Sequence, residues 1–382
     1  MTTTRSALDW RAHAQRLAGQ LVASGDIRTP RWRDAIAAVP RHLLVPTAYE
    51  QDHSGRWMPW STVDDLDRVY SPETLITDID PAGLAVSSST KPDLMARMLE
   101  LLDARPGHRV LEVGTGTGYN AALLSHALGD EHVHSVDIDP DLVDAARARL
   151  AAIGYRPTLA AVDGAAGLPE HGPYDRIIAT CSVPRVPWAW AQQLADDGVI
   201  LADVKVALSA GNLVRLTRET DGTLTGRFTT RWAGFMAMRH HTAPTIPGPS
   251  PTSRDDATTR PTSMGLARVW ETPPLWFLVN LWEPQPIGFG ITLDPATRQP
   301  SGARYRAEDG SWCEITSRAD RCIVTEGGPR RLWSNIEHAT TRWRALGEPG
   351  WDRLGLTVSA DQQTVWVDHP DGPAWDLPAE RR

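Results

Sequence analysis

The strongest chemical signal is the run VLEVGTGTGYN at residues 110–120. Gly114, Gly116 and Gly118 lack Cβ atoms, so the backbone can turn sharply there and approach a ligand closely. A helix predicted to follow presents unpaired N–H groups at its start. Asp137 ends the next apolar stretch, 19 residues after Gly118, where a carboxylate accepts both hydroxyls of a ribose. This set points to a nucleotide-containing cofactor, although a glycine turn that only packs helix on strand has the same residues. A dinucleotide site also uses this logic, but three details favour S-adenosylmethionine (AdoMet). Tyr119 stands where the fingerprint G-x-G-x-x-G requires its last glycine. Glu112 precedes the turn inside the strand, placed to organise the loop or face the cofactor's amino group. Asp163-Gly164 follows the third strand, where an aspartate can bond an adenine amino group. The expected cofactor set is Glu112, Gly114, Thr115, Gly116, Tyr119, Asn120, Asp137, Ile138, Asp163 and Gly164.

Such a turn needs an α/β scaffold, and one is legible. Residues 6–24 have helical apolar spacing, and Pro30 opens a second helix that ends near Pro40. The polar segment 47–80 reads as loops with short strands. From Pro92 the pattern alternates: helix 92–102, strand 109–113, helix 119–128, strand 132–137, helix 140–152, strand 158–162, strand 175–180, helix 187–195 and strand 198–204. Alternation of this kind implies a parallel, doubly wound, Rossmann-like sheet. Segments 212–218 and 226–230, split by Asp221-Gly222, predict a hairpin. Residues 242–263 are rich in Pro, Ser and Thr, a linker composition. Beyond them, strands at 275–282 and 364–368 and a helix near 331–346 suggest a small α+β unit. Nine of the sixteen tryptophans lie there, serving as its core or as a peptide-binding surface. The expected organisation is a helical cap over 1–80, a cofactor domain over 81–241, a linker over 242–263 and an accessory, peptide-recognising domain over 264–382.

Composition narrows the function classes. A net charge of -8 supplies no basic field for nucleic acid or anionic membrane. No apolar run approaches the ~20 residues that span a bilayer, and the N-terminus lacks a signal-peptide stretch. Cys181, Cys313 and Cys322 form neither a disulfide framework nor a zinc-type pair. No metal is expected, and the setting expected is the cytoplasm. His132 and His134, two apart on a strand, read as packing or solvent-facing groups rather than metal ligands, and His240-His241 before the linker is assigned no role.

Residues 85–204 resemble protein-L-isoaspartate O-methyltransferases. The matching pieces are SSSTKPDLMARMLELL, VLEVGTGTGYNAALL, SVDID, VDGAAGLPEHGPYDRII and ATCSVPRVPWAWAQQLADDGVIL. The earlier AIAAVPRHLLVPTAYEQD is similar to that family's N-terminal region, so the resemblance covers roughly residues 30–230. The family usually ends soon after this core. The tail, RRLWSNIEHATTRWRALGEPGWDRLGLTVSADQQTVWVD, resembles the extra domain of homologues encoded beside ATP-grasp ligases in graspetide gene clusters. Similar enzymes occur with lanthipeptides and lasso peptides. The resemblance implies O-methylation of an aspartate side chain in a modified, macrocyclised precursor peptide, whose ester then closes to a succinimide (aspartimide). Repair of isoaspartyl residues in damaged proteins is the rival within the family. A catalytically inactive peptide-binding module and a nicotinamide oxidoreductase are rivals outside it.

Methylating a carboxylate needs no general base, because the group is ionised at neutral pH. What it needs is alignment of oxygen, methyl carbon and sulfur. The hydroxyls of Ser87, Ser88, Ser89 and Thr90 are the candidate donors. In the repair enzymes a serine lies two residues before the proline that opens the next helix, and here Thr90 holds that place. The catalytic candidates are therefore Thr90, Ser89 and Ser88. Ser87, Cys181 at the end of the fourth strand and Lys205 after the fifth are the substrate-side candidates. The same hydroxyls can instead cap the helix, and Cys181 also reads as a small buried residue.

Overall fold

Prolines open four of the helices, where a fixed φ suits the first turn and a missing N–H costs nothing. The computed structural model describes residues 3–240, 254, 256–265, 269, 271–318 and 321–379. Helices α1 (Thr3–Ala23), α2 (Pro30–Ala38) and α3 (Arg41–Leu44) come first. The segment read as loops with short strands holds β1 (Thr47–Gln51), β2 (Trp57–Ser61), the short α4 (Leu66–Val69) and β3 (Leu75–Ile79). With β4 (Ala85–Ser89) these strands form an antiparallel sheet of order β2-β1-β3-β4. Leu17, Leu21, Trp32 and Ile36 of the cap share one buried cluster with the helices over the central sheet.

The alternating region follows its expected order. It contains α5 (Pro92–Leu102), β5 (Val110–Val113), α6 (Tyr119–Leu128), β6 (Val133–Asp137), α7 (Pro140–Ala152), β7 (Thr158–Ala161), β8 (Tyr174–Val183), α8 (Trp188–Gln192) and β9 (Leu194–Ala207). Strands β7-β6-β5-β8-β9 run parallel. Every residue of β5 is buried, as a central parallel strand requires. The strand order reverses between β5 and β8, the crevice where open α/β sheets bind ligands. Strands β10 (Ala210–Arg218) and β11 (Leu224–Phe228) form the predicted hairpin.

The C-terminal third departs from expectation in three ways. Residues 242–253 of the expected linker lie outside the described residues, but its last part is β12 (Thr258–Thr262). The expected strand 275–282 is helix α9 (Pro273–Trp282), buried over nearly its whole length. A helix apolar on all sides belongs inside a core. Next come β13 (Ile287–Leu293), β14 (Pro300–Ala307), β15 (Trp312–Arg318), β16 (Arg321–Gly327) and α10 (Leu332–Ala345). The new sheet has the order β12-β16-β15-β14-β13. Strands β17 (Leu354–Val358), β18 (Gln363–Val367) and β19 (Ala374–Asp376) do not join it. They pair onward from β11 and extend the central sheet to ten strands. The region beginning at residue 264 thus divides into an inserted sheet and an extension of the cofactor-domain sheet. Trp276, Trp312, Trp333, Trp343, Trp351 and Trp366 are buried, so the tail's tryptophans serve mainly as core. No helix among the described residues is long and apolar enough to cross a membrane.

Candidate active site

The carboxyl ends of β5, β6 and β8 converge with the turn after β4 on a cavity of about 400 Å³. The three glycines of the turn meet different constraints, and Gly114 and Gly116 line the cavity while Gly118 does not. A Cβ on Gly114 (φ +103) would lie 2.5 Å from Thr180 Oγ1 on β8. A Cβ on Gly118 (φ +85) would lie 3.3 Å from both Ala146 and Leu150 of α7. Those two glycines therefore serve packing. Gly116 (φ +50) is the one of the three with room for a side chain, with only Ser87 Oγ near, 3.8 Å from its would-be Cβ. Its N–H donates to Asp137 Oδ2 at 2.9 Å, so the end of β6 holds the turn.

Glu112 is fully buried and acts on the loop. It accepts hydrogen bonds from Asn120 Nδ2 at 2.7 Å and Ser135 Oγ at 2.5 Å, while Ser135 Oγ lies 2.7 Å from Thr115 Oγ1. Burial pushes its carboxyl up to about 7. The folded state then binds more protons than the unfolded chain between the ordinary value of 4.5 and about 7, so stability falls as pH rises through that window. Glu112→Gln keeps the shape and removes the titration. Melting curves of the two proteins from pH 5 to pH 8 should diverge, the glutamine variant gaining on the order of 2 kcal/mol relative to wild type. Parallel curves would mean that Glu112 is not protonated in this window.

The hydroxyl run divides by strand alternation. Ser87 and Ser89 are buried, whereas Ser88 and Thr90 are half-buried, and all four line the cavity. Ser87 Oγ accepts from Thr77 Oγ1 at 3.0 Å. Ser89 Oγ accepts from Arg41 Nη2 at 3.3 Å, which ties its hydroxyl to α3. The capping alternative is not realised: Lys91 is the N-cap of α5, with no side-chain cap bond. Lys91 pairs instead with Asp93 at 3.0 Å.

Two expected residues stand outside the cavity lining. Asp163 accepts from the Ala165 N–H at 2.9 Å and lies 3.0 Å from His240 Nδ1, while the adjoining Gly164 does line the cavity. Lys205 donates to the Phe235 carbonyl and lies 3.6 Å from the buried Asp203, so it serves structure rather than the open site. Cys181 lines the cavity, but burial pushes its thiol up to about 12, which leaves no thiolate at neutral pH. His240, read from sequence as unimportant, faces Asp163, and His241 lies outside the described residues.

Sequence reasoning missed the strap at 232–239, which walls the cavity. Asn212 Oδ1 accepts from the Ala233 N–H and Asp203 Oδ2 from the Phe235 N–H, both at 2.9 Å. Main-chain bonds join Ser182 to Met236 and Met238, both at 2.8 Å. At its far end Arg239 lies 3.8 Å from Asp137 and 3.9 Å from Asp139. The apolar FMAM run beside Gly234 was the available signal. Arg41, which reaches Ser89 from α3, was missed as well.

Residues 12–233 match the family described as Protein-L-isoaspartate(D-aspartate) O-methyltransferase (PCMT). A "Protein-L-isoaspartate O-methyltransferase" of Aeropyrum pernix is 36% identical over 197 residues, 51% of this chain and 67% of that protein. The protein of the same description from Ignicoccus hospitalis is 33% identical over 204 residues, 53% of this chain and 86% of that protein. A solved structure titled protein-L-isoaspartate O-methyltransferase aligns over 93% of this chain and 100% of its own, with a TM-score of 0.55 and 22% identity. That likeness is one of fold, and its coverage takes in the C-terminal region.

Proposed function

The chain belongs to the protein-L-isoaspartate(D-aspartate) O-methyltransferase family, and on that premise we propose that it methylates an isoaspartyl-type carboxylate of a protein or peptide, using AdoMet as donor. One observation carries this reading: the Asp137-anchored Gly116 turn and the Thr90 hydroxyl turn line the same cavity. The residues present fit the cofactor. Gly116 leaves room for close approach, Asp137 stands at the strand end, and the buried Asn120 Oδ1 has no partner among the described residues. Bound AdoMet would supply a sulfonium methyl carbon as electrophile. The chain's own part is orientation. Asp137 fixes the Gly116 turn, while Thr90 and Ser88 line the same cavity and offer hydroxyl donors. The strap at 232–239 limits water. Because the acceptor carboxylate is already ionised, transfer of the methyl group to its oxygen would require no proton movement by these residues.

A second reading is favoured by the hydroxyl at Thr90, which stands where the repair enzymes carry serine. In this reading the acceptor is an aspartate of a macrocyclised ribosomal peptide. Its methyl ester is attacked by the next backbone nitrogen, and methanol leaves as the aspartimide ring closes. The C-terminal region, first taken as a sign of this role, no longer separates the two, because a fold bearing the repair description extends through it.

The deciding experiment compares kcat/KM for an isoaspartyl peptide and a cyclised aspartyl peptide. The isoaspartyl peptide should be preferred by about tenfold or more, on the order of 1.4 kcal/mol. A preference for the cyclised peptide, with aspartimide product, would transfer the conclusion to the second reading. In the same assay Thr90→Val, which keeps the branched shape, should cost roughly 10²-fold in kcat/KM with AdoMet affinity unchanged. Undiminished turnover would remove Thr90 from the site.

A further inference from the structure

Arg41 is completely buried, yet among the described residues no carboxylate is a hydrogen-bond partner of it. Its Nη1 donates to the carbonyls of Val69 at 2.7 Å and Ser71 at 3.4 Å. Its Nη2 donates to the carbonyls of Glu73 at 3.2 Å, Ser89 at 3.3 Å and Thr90 at 3.2 Å. Nε and Nη2 both reach Ser89 Oγ, at 3.4 and 3.3 Å. The guanidinium also lies 5.6 Å from the centre of the Tyr119 ring. Buried charges ordinarily come with an opposite charge. This one is surrounded by neutral dipoles, and burial lowers it only to about 10, so it stays protonated at neutral pH. The neighbouring cation, Lys91, already has its own acid in Asp93.

The net charge of Arg41 therefore sits behind the Ser89–Thr90 turn, whose other side lines the cavity. A low-dielectric surrounding carries its field across the turn with little screening. We propose that Arg41 is a positioning residue whose missing counter-ion is the acceptor carboxylate: it fixes the hydroxyl turn and makes the cavity prefer an anionic acceptor over a neutral one. The proposal rests on the reading that a carboxylate is the acceptor. Methylation cancels the acceptor's charge, so the same field that draws the substrate in releases the ester. The field acts on the ground state, and its loss should appear in KM rather than in kcat.

The test uses the full-length protein with Arg41→Gln and Arg41→Lys. Binding of the acid peptide and of its carboxamide, a neutral isostere of the ester, is measured without turnover, alongside KM and kcat. Wild type should prefer acid over carboxamide by about tenfold or more. Arg41→Gln, which loses the charge and most of the fork, should erase that preference and raise KM about tenfold, with turnover falling as in the lysine variant and AdoMet affinity unchanged. Arg41→Lys keeps the charge and loses the fork, so the preference should survive while turnover falls. A folded glutamine variant that still prefers the acid would overturn the proposal, as would a folded lysine variant that has lost the preference. If the glutamine variant fails to bind AdoMet, the lysine variant decides alone. A wild-type protein that methylates neither peptide would defeat the functional reading, while the acid-to-carboxamide ratio would still judge this one.

Discussion

Asp137→Ala should weaken AdoMet binding by roughly 100-fold or more and remove methyl transfer with it. Charge-assisted bonds from a carboxylate contribute about 1.5–3 kcal/mol each, and this side chain has two tasks. One oxygen holds the Gly116 N–H at 2.9 Å, which fixes the turn. The ribose hydroxyls are the proposed partners of the same carboxylate. Alanine loses both, whereas asparagine keeps the bond to Gly116 and should lose less. Arg239, 3.8 Å away and partly exposed, is too distant and too hydrated to account for such an effect. Titration calorimetry reads the result directly. Unchanged AdoMet affinity in the alanine variant would mean that the cofactor lies elsewhere. A parallel titration of wild type with a nicotinamide dinucleotide separates the oxidoreductase alternative, and binding of neither cofactor would revive the inactive peptide-binding module.

A chain ended at residue 240 is expected to be insoluble or unfolded. Strand β11 would lose β17 and become a bare edge, which invites pairing with other chains. Phe228 would lose the rings of Phe277 and Trp351, whose centroids lie 5.3 and 5.4 Å away. The buried bonds between Val186 and Gln363, at 2.9 and 2.6 Å, would go as well. The exposed apolar face is the kind that drives aggregation. Phe277→Ala, a milder version in the full chain, should cost about 3–5 kcal/mol. The soluble fraction and the melting profile of the truncated chain give the answer. A monomeric truncated protein with a cooperative melt near that of the full chain would show that the cofactor domain ends where its composition suggests.

These two expectations reflect what local sequence signals can carry. Helices Pro92–Leu102, Tyr119–Leu128 and Pro140–Ala152 were legible to the residue, because a proline or glycine marks each start and apolar spacing fills each body. PPLWFLVNLW defeated the same method: in a continuous apolar run neither period shows, and the proline pair was the only helix cue. The glycine turn was found, but its three glycines looked equivalent. Only the neighbours on β8 and α7 tell the two glycines that a side chain would crowd from the one with open space at its Cβ. Lys205 was a substrate-side candidate because its partner Phe235, 30 residues away, leaves no mark in the local sequence. Arg41 was invisible for the same reason, its partners lying 28 to 49 residues along the chain. Spacing rules describe near neighbours, whereas a buried charge is defined by distant ones.

The pairing of β11 with β17 also sets a timetable. Thr225 and Thr357, which face each other across it, are 132 residues apart. Closing so long a loop carries an entropic cost before any contact repays it. At about 5–20 residues per second, a ribosome needs several seconds or more to make the chain between them. For that interval the nascent cofactor domain must wait with one flank open, and a chaperone that shields strand edges would find its binding site at β11 before the enzyme finds its last strands.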